Sequence, residues 1–307
     1  MTMHLRILGS AAGGGFPQWN CNCPNCDGLR RGSLRARART QSSIAVSANG
    51  NDWLLINASP DILQQIKATP PLQPARAIRD TGIAAVLLMD AQIDHVTGLL
   101  MLRENRGPLP LLATREVLSD IGEGFPITRI LSHYCGVQPH PIPHDGTAFT
   151  APGLPGVVIQ VVSLSSKPPP YSPFRGAPRP GDNIGILLRS ETSGARAFYA
   201  PGLGEVTPEL LTLMASCQVI LVDGTFWRAD EMQRMGLSSK SAADMGHLPQ
   251  SGPGGMLEHL MQLPASTRKL LIHINNTNPI LVEDSAERAL LNELGIEVAH
   301  DGLDIRF

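Results

Sequence analysis

A run of seven consecutive apolar residues, 83–89 (Ile-Ala-Ala-Val-Leu-Leu-Met), restricts the folds that this chain can adopt. The run is too short for a typical helix and predicts a β-strand that is buried on both faces. A helix is predicted to follow it at residues 96–104. Strands of this kind belong to sheets that are covered by other layers, so the run favours an α/β fold.

Further short apolar runs alternate with helical patterns along the chain. Strands are predicted near residues 4–9, 43–48, 53–58, 109–113, 157–164, 184–189, 196–200, 218–222 and 270–274. Helices are predicted near residues 61–67, from 114 onward and near 207–216, 253–262 and 284–294, followed by a closing hairpin near 296–307. Helices that cover both outer faces of adjoining strands predict an α/β fold, a four-layer αββα sandwich with two mixed β-sheets.

Length and charge narrow the class of protein. A chain of 307 residues fits one large domain, predicted over residues 1–307, and its net charge of −2 does not favour binding to nucleic acid or to a membrane surface. The first residues resemble a strand rather than a signal peptide, and no apolar run reaches membrane-spanning length. We therefore expect a cytoplasmic protein that acts on a small molecule or a short peptide.

Three of the five cysteines form a Cys-x-Cys-x-x-Cys cluster at Cys21, Cys23 and Cys26. Such crowding suits a metal better than disulfides in a reducing compartment, and the spacing brings three thiolates within reach of one tetrahedral ion. With one remote ligand added, a zinc ion would have no open position, so the predicted role is structural. Three free or redox-active thiols are the alternative.

The predicted strand at residues 83–89 is followed by Asp94 and His95, and His273 stands at the end of the strand predicted at 270–274. Functional groups collect at the carboxyl ends of strands in α/β proteins. Each of these residues on its own is equally well explained as a hydrogen-bonded structural residue.

The segment around Asp94 and His95 resembles the His-x-His-x-Asp-His signature of the metallo-β-lactamase superfamily. That signature also follows a buried strand. Asp90 and Gln92 stand at the two leading His positions, which hold one metal of the dinuclear pair in the family's hydrolases. His273 resembles the family's final His ligand. The resemblance therefore implies that a single catalytic metal is held by Asp94, His95 and His273.

Two more family ligands are replaced in this chain. The bridging Asp corresponds to Ala200, and the central His is lost around Ser165. The remaining two imidazoles and one carboxylate, with vacant coordination positions, match the facial triad of non-haem Fe(II) oxygenases. Fe²⁺ is therefore the expected catalytic ion, beside Zn²⁺ as the structural ion.

The resemblance also points to residues outside the ligand set. His247 lies where family members with a similar cysteine cluster carry a catalytic or substrate-facing His, and Asn276 corresponds to their fourth zinc ligand. We expect His247 to transfer a proton, with capping of a loop as the alternative, and Asp90 to orient the substrate or move protons. Asp223 is expected either to support the site or to form a turn.

Two stretches have more than one interpretation. The proline-rich residues 165–182 form either a semi-rigid lid over the working face or a disordered surface loop. The five arginines within residues 30–39 either grip carboxylates of a substrate or belong to a solvated loop.

Over essentially its whole length the chain resembles a metallo-β-lactamase-fold family of pyrroloquinoline quinone (PQQ) biosynthesis, chiefly in the sequence motifs at residues 9–26 and 273–279. The resemblance implies iron- and O₂-dependent hydroxylation of the tyrosine ring of a cross-linked Glu-Tyr unit. The alternatives are a non-catalytic carrier of PQQ or its precursor toward the periplasm and a metal-dependent hydrolase. Other proteins of PQQ biosynthesis and a second copy of the chain stay open as partners, whereas nucleic acid and membrane insertion are not expected.

Overall fold

The structure is a computed structural model that describes residues 3–307. Its strands are β1 (His4–Gly9), β2 (Ser43–Ser47), β3 (Trp53–Ile56), β4 (Ile83–Leu87), β5 (Leu109–Ala113), β6 (Val137–Pro141), β7 (Val157–Ser163), β8 (Ile184–Ser190), β9 (Arg196–Ala200), β10 (Val219–Asp223), β11 (Arg268–Ile272), β12 (Ile296–Val298) and β13 (Asp304–Arg306). Its α-helices are α1 (Pro24–Arg31), α2 (Ile62–Lys67), α3 (Ile93–Val96), α4 (Arg115–Asp120), α5 (Ile127–Leu131), α6 (Pro208–Ala215), α7 (Glu231–Arg234), α8 (Met256–Leu260) and α9 (Ala286–Glu293). Four 3₁₀ helices lie at Pro70–Leu72, Thr97–Leu102, Ala243–Met245 and Pro279–Leu281.

The strands form two mixed sheets. The first has seven strands in the order β13-β1-β2-β3-β4-β5-β6, and the second has six in the order β12-β11-β10-β9-β8-β7. In the first sheet β3 to β6 are parallel to one another and the remaining pairs are antiparallel. In the second sheet β9 to β12 are parallel and β7 to β9 antiparallel.

Alternation along the strands places the main core between the two sheets. Ile44 and Val46 of β2 belong to the apolar cluster shared with the second sheet, whereas Ala45 between them packs with the helices outside. This is the period of two that a strand imposes on its side chains. Ile186 and Leu188 of β8 meet the same cluster from the other sheet.

Helices cover the outer face of each sheet. Ile62, Val117 and Ile127, from α2, α4 and α5, pack against the first sheet, and Leu210 and Leu291, from α6 and α9, pack against the second. The predicted four-layer αββα sandwich with two mixed sheets is confirmed. Because both faces of β4 are covered, its residues are apolar without alternation.

Two predicted elements are wrong. The closing hairpin does not form, because Ile296–Val298 pairs parallel with β11 in the second sheet while Asp304–Arg306 pairs antiparallel with β1 in the first. The carboxylate of Asp301 fixes the crossing between the sheets by accepting hydrogen bonds from Ser10 Oγ at 2.8 Å and Thr40 N at 2.7 Å.

The helix predicted at residues 96–104 is the second error, since the chain forms a short α-helix at Ile93–Val96 and then the 3₁₀ helix Thr97–Leu102. Gly98 lies against the backbone here, and a Cβ at this position would fall 2.1 Å from Ser59 O.

Within residues 3–307, no helix has the length and hydropathy needed to cross a membrane.

Candidate metal centre and active site

Asp94, His95 and His273 meet where strands of the two sheets end. Asp94 and His95 lie in α3 after β4, and His273 follows β11 directly. The distance from Asp94 Oδ2 is 3.8 Å to His95 Nε2 and 3.5 Å to His273 Nε2, and one ligand atom from each residue lies within 4.8 Å of the others. One ion with bonds of about 2.1 Å can span separations of this size, so the predicted set is brought together in space.

The carboxylate of Asp90 holds His95 in one tautomer. Asp90 Oδ1 lies 2.8 Å from His95 Nδ1 and also accepts a hydrogen bond from Gln92 N at 2.9 Å. With Nδ1 carrying the proton, Nε2 is left with its lone pair, and this atom is buried without a hydrogen-bond partner. An orphaned buried nitrogen beside Asp94 fits a metal ligand. Asp90, predicted as a catalytic group, thus lies on the far side of His95 from Asp94.

Thr225 holds His273 in the corresponding way. Its hydroxyl donates to the carbonyl oxygen of His273 at 2.9 Å and lies 2.9 Å from His273 Nδ1, so Oγ1 is the acceptor for an Nδ1–H. Nε2 of His273 then has its lone pair toward Asp94. His273 also has a φ of 60°, a left-handed conformation that a residue with a side chain adopts only when its surroundings enforce it. Sequence reasoning did not identify Thr225, although it follows a buried strand.

The charges around the three ligands favour a cation. Burial lowers the pKa of His95, but Asp90 and Asp94 outweigh this effect and raise the pKa to about 9. Burial raises the pKa of Asp94, whereas the charges of His95 and His273 lower it, and the result lies well below the usual range. A site that stabilises positive charge on an imidazole also stabilises a divalent ion in its place.

His247 is paired with the buried carboxylate of Asp223. Their Nδ1 and Oδ2 atoms are 2.5 Å apart, and the same oxygen accepts from Leu203 N at 2.8 Å. Burial lowers the pKa of His247, but the charge of Asp223 outweighs it and raises the pKa. Asp223 therefore supports the site, as one of its two interpretations proposed, and it also accepts from Thr225 N in a turn. Asp223, His247 and His273 form a second group of potential ligands, but its shortest contact is this hydrogen bond.

A cavity of about 270 Å³ opens above the three ligands and includes His247 and Asp90 in its wall. Gly13 borders it, and a Cβ at this glycine would lie 3.1 Å from Asp94 Oδ2. The proline-rich loop at residues 165–182 contributes Lys167, Pro170 and Arg175 to the lining. The loop therefore forms part of the cavity wall, while its role as a lid stays a prediction.

The arginines of residues 30–39 are not part of this cavity, and the expectation that they grip a substrate is wrong for most of them. Arg30 donates to Cys21 O at 2.6 Å, Arg31 pairs with Asp27 at 2.8 Å, and Arg37 pairs with Glu283 at 3.0 Å. Arg39 is buried and donates to Ser10 Oγ and Ala299 O. Arg30 and Arg31 thus stabilise the Cys-containing segment itself, and the buried Arg39 is paired because an unpaired guanidinium group would be costly there.

The Cys-x-Cys-x-x-Cys segment forms a second candidate metal site, with the three Sγ atoms within 4.8 Å of one another. Helix α1, which was not predicted, begins at Pro24 and turns Cys26 inward. The side-chain amide of Asn276 faces the three sulfurs, with Nδ2 at 3.1 Å from Cys21 Sγ, 3.6 Å from Cys23 Sγ and 3.3 Å from Cys26 Sγ. The structure thus brings Asn276, the predicted fourth ligand, next to the three sulfurs.

The protonation of the cluster is consistent with a site for a cation. Burial raises the pKa of Cys23 to about 12, and the neighbouring sulfurs add to the increase. Three thiolates in this space need a positive ion among them, since thiolate ligands are stabilised by the metal itself. The two lone cysteines are elsewhere: Cys217 is buried and Cys135 half-buried.

One short segment connects the two sites. Residues 273–278 carry His273 of the first site and Asn276 of the second, and Asn278 Nδ2 donates to Gly224 O at 2.9 Å. Asn25 of α1 donates to Asn276 O at 3.1 Å. The Cys cluster therefore supports the backbone that presents His273.

The chain matches known proteins over nearly all of its length. Residues 52–274 match the beta-lactamase superfamily domain. The coenzyme PQQ synthesis protein B of Cupriavidus necator is 66% identical over 301 residues, which cover 98% of each chain. The protein of the same name from Azoarcus sp. is 62% identical over 301 residues, 98% of this chain and 99% of the relative. The chain belongs to the coenzyme PQQ synthesis protein B family.

A solved structure in this PqqB family supports the fold. The crystal structure of Zn²⁺-bound PqqB from Methylobacterium extorquens has a TM-score of 0.89, with 39% identity over 98% of this chain and 99% of that one. A diphosphatase from the PhnP family has a TM-score of 0.68 at 18% identity, over 100% of this chain and 98% of that one, and shares the fold alone. The predicted superfamily and family are confirmed, while the individual site residues stay predictions.

Proposed function

We propose that this protein takes part in the synthesis of coenzyme PQQ and hydroxylates the tyrosine ring of a cross-linked Glu-Tyr intermediate in an iron- and O₂-dependent reaction. The observation that carries the proposal is the convergence of Asp94, His95 and His273 with both imidazole Nε2 atoms free to bind a metal. Three ligands leave coordination positions for O₂ and substrate, which the closed sites of structural metals lack.

The reaction inserts one oxygen atom of O₂ into a ring C–H bond, which becomes a hydroxyl group. The second oxygen atom leaves as water, with two protons and two electrons from an external reductant. When bound, Fe(II) supplies the redox chemistry that activates O₂. The residues of the chain supply the rest: a fixed ligand geometry, a proton carrier and a cavity that limits access of water.

His247 is the proposed proton carrier. Asp223 holds its Nδ1 at 2.5 Å, which leaves Nε2 for the phenol oxygen of a substrate in the cavity. Thr225 lies 3.2 Å from the same Nδ1 and 2.9 Å from His273 Nδ1, so the proton carrier and the metal ligand are positioned by one hydroxyl. Asp90 keeps His95 oriented by its hydrogen bond to Nδ1.

Zinc is the proposed ion of the Cys21, Cys23 and Cys26 cluster, with Asn276 as the fourth ligand. Zinc in the PqqB relative from Methylobacterium extorquens supports this choice, as does the sulfur-rich donor set. Asn276 would bind through Oδ1, which takes the place of Nδ2 when the amide rotates by 180°. The ion would be structural, because three sulfurs and one amide oxygen close the tetrahedron.

Transfer of ¹⁸O from ¹⁸O₂ to the cross-linked Glu-Tyr compound tests the proposal. The protein is loaded with Fe(II) without oxygen, then given substrate, reductant and ¹⁸O₂, and the product mass is measured. We expect incorporation of ¹⁸O that is lost in Asp94→Ala and His273→Ala while the zinc content of the Cys cluster is unchanged. His133→Ala, an exposed histidine away from the cavity, is the matched control.

Two other outcomes would reject the oxygenase. Binding of PQQ or its precursor with no oxygen uptake under iron, zinc or manganese would favour the carrier, and cleavage of the substrate without ¹⁸O from O₂ would favour a hydrolase. The cytoplasmic location, the single domain, contacts with other PQQ biosynthesis proteins and a homodimer stay predictions.

A further inference from the structure

Three cationic side chains line the cavity opposite the metal ligands. Lys167 and Arg175 come from the proline-rich loop, and Lys240 comes from the segment between α7 and the 3₁₀ helix Ala243–Met245. Lys167 and Lys240 are exposed and Arg175 is half-buried. Cations gathered from two separate segments in this way create a positive potential at the opening of a cavity.

None of the three has an ion-pair partner among residues 3–307. Asp244 lies near both lysines: hydrogen bonds from Ser241 N at 2.9 Å and Ser241 Oγ at 2.8 Å, together with the charges of Lys167 and Lys240, lower the pKa of its carboxyl. The carboxylates deeper in the cavity are also engaged, since Asp90 is bonded to His95. The cations are therefore available to an anionic ligand.

The loop that carries Lys167 and Arg175 is held in place at several points. Tyr171 donates to Ala91 O, and Ser172 donates to Asp120 at 2.8 Å. Arg179 pairs with Asp182 at 2.8 Å farther along the loop. A segment fixed in this way loses little conformational entropy when a ligand binds, so its cations are preorganised.

We propose that Lys167, Arg175 and Lys240 form an anion-binding rim that selects substrates with at least two carboxylates and directs their uncharged ring toward Asp94, His95 and His273. The inference rests on the proposed function for the position of the reacting ring. Binding of carboxylates by the rim depends only on the charges of its three side chains. Guanidinium binds carboxylate in a two-point geometry, whereas the lysines act as point charges.

The expected effects follow from the loss of charge-assisted hydrogen bonds. Removing one such bond in a partly exposed site weakens binding about tenfold, and removing two weakens it about 100-fold. The affinity should also fall with ionic strength, because exposed charges are screened by salt. A ligand without carboxylates should show neither effect.

Calorimetric titration of the zinc-loaded, full-length protein tests the rim without requiring turnover. The ligands are the cross-linked Glu-Tyr diamino acid and the same compound with every carboxylate converted to an amide. The variants are Arg175→Ala, Lys240→Ala and their combination, with Lys67→Ala and Arg129→Ala as exposed cations away from the cavity. Arg175→Lys retains the charge and controls for the contact of Arg175 with Pro168 O.

We expect the acid to bind at least tenfold tighter than the amide, and this preference to disappear in Arg175→Ala/Lys240→Ala but not in the control variants. Equal binding of acid and amide, no binding of either, or an unchanged preference in the double variant would overturn the rim. Failure of the proposed function is distinct: a carboxylate preference that depends on the rim, without ¹⁸O transfer, would retain the rim and reject the oxygenase. If the double variant hydroxylated the substrate with the KM of the parent protein, the oxygenase proposal would be retained and the rim rejected.

Discussion

The substitution Thr225→Val tests how the metal ligand His273 is fixed. Valine has nearly the shape of threonine but no hydroxyl, and Thr225 is buried, with 3% of its surface exposed. The change removes the acceptor for His273 Nδ1–H at 2.9 Å and the donor to His273 O at 2.9 Å. His273 then keeps its position after β11 but loses the interactions that select its tautomer and its left-handed backbone conformation.

The structure allows the size of the effect to be estimated. A buried polar group left without its partner costs about 1–3 kcal/mol, so the metal-free protein should lose about this much free energy of unfolding. Loss of a hydrogen bond to the second nitrogen of a ligating histidine lowers metal affinity about 10- to 100-fold. Thr225→Ser keeps the hydroxyl and should retain most of both quantities.

Cobalt(II) titration separates the two metal sites in one experiment. Thiolate-bound cobalt at the Cys cluster absorbs in a charge-transfer band that a site of one carboxylate and two imidazoles lacks, so the Cys cluster is an internal control. Thr225→Val should weaken only the site of Asp94, His95 and His273. If Thr225→Val bound cobalt at that site as tightly as Thr225→Ser, the assignment of Nδ1–H to a bond with Thr225 would be wrong.

Three further predictions concern the proton carrier, the Cys cluster and a buried acid. His247→Gln should lower kcat about 10²- to 10⁴-fold with unchanged metal content, as expected for loss of an acid–base group, measured by product formation and elemental analysis. Cys23→Ser should release one equivalent of zinc and lower the unfolding free energy by several kcal/mol, because structural zinc contributes on the order of 10 kcal/mol in small domains; Cys135→Ser should do neither. Burial raises the pKa of Glu231 to about 6. Protonation of Glu231 therefore contributes to the free energy of unfolding below the usual pKa of glutamate, and this contribution is lost as the pH rises through about 6. In urea unfolding, the free energy of unfolding of Glu231→Gln should therefore rise by about 2 kcal/mol relative to that of the parent protein between pH 4.5 and pH 7. Parallel pH profiles of the two proteins would contradict this.

Much of the fold could be predicted because local patterns and tertiary packing agree. The strands predicted near residues 43–48 and 53–58 form β2 and β3, which pair with each other, and the apolar run led to β4. The final strands could not be assigned to their sheets, because β12 and β13 are three residues each and β13 pairs with β1 at the other end of the chain. Helix α1, which has eight residues and begins directly after Cys23, was not predicted.

The candidate metal ligands were predicted from a motif, whereas Thr225, which positions His273, was not. Asp94 and His95 are adjacent in the chain, and His273 opens a specific motif at residues 273–279. Thr225 has no such signal, since its importance lies in one hydroxyl placed between two histidines that are 22 and 48 residues away.

The sequence by itself determined the layers of the fold, the family and the residue types of two metal sites, because these depend on periodicity and on spacing along the chain. Only the tertiary structure decided which groups surround the ligands: Asp90 on His95, Thr225 on His273, and three cations at the cavity. Hydrogen-bond geometry and the field at a cavity depend on distances between segments far apart in the chain, and local patterns carry no information about those distances.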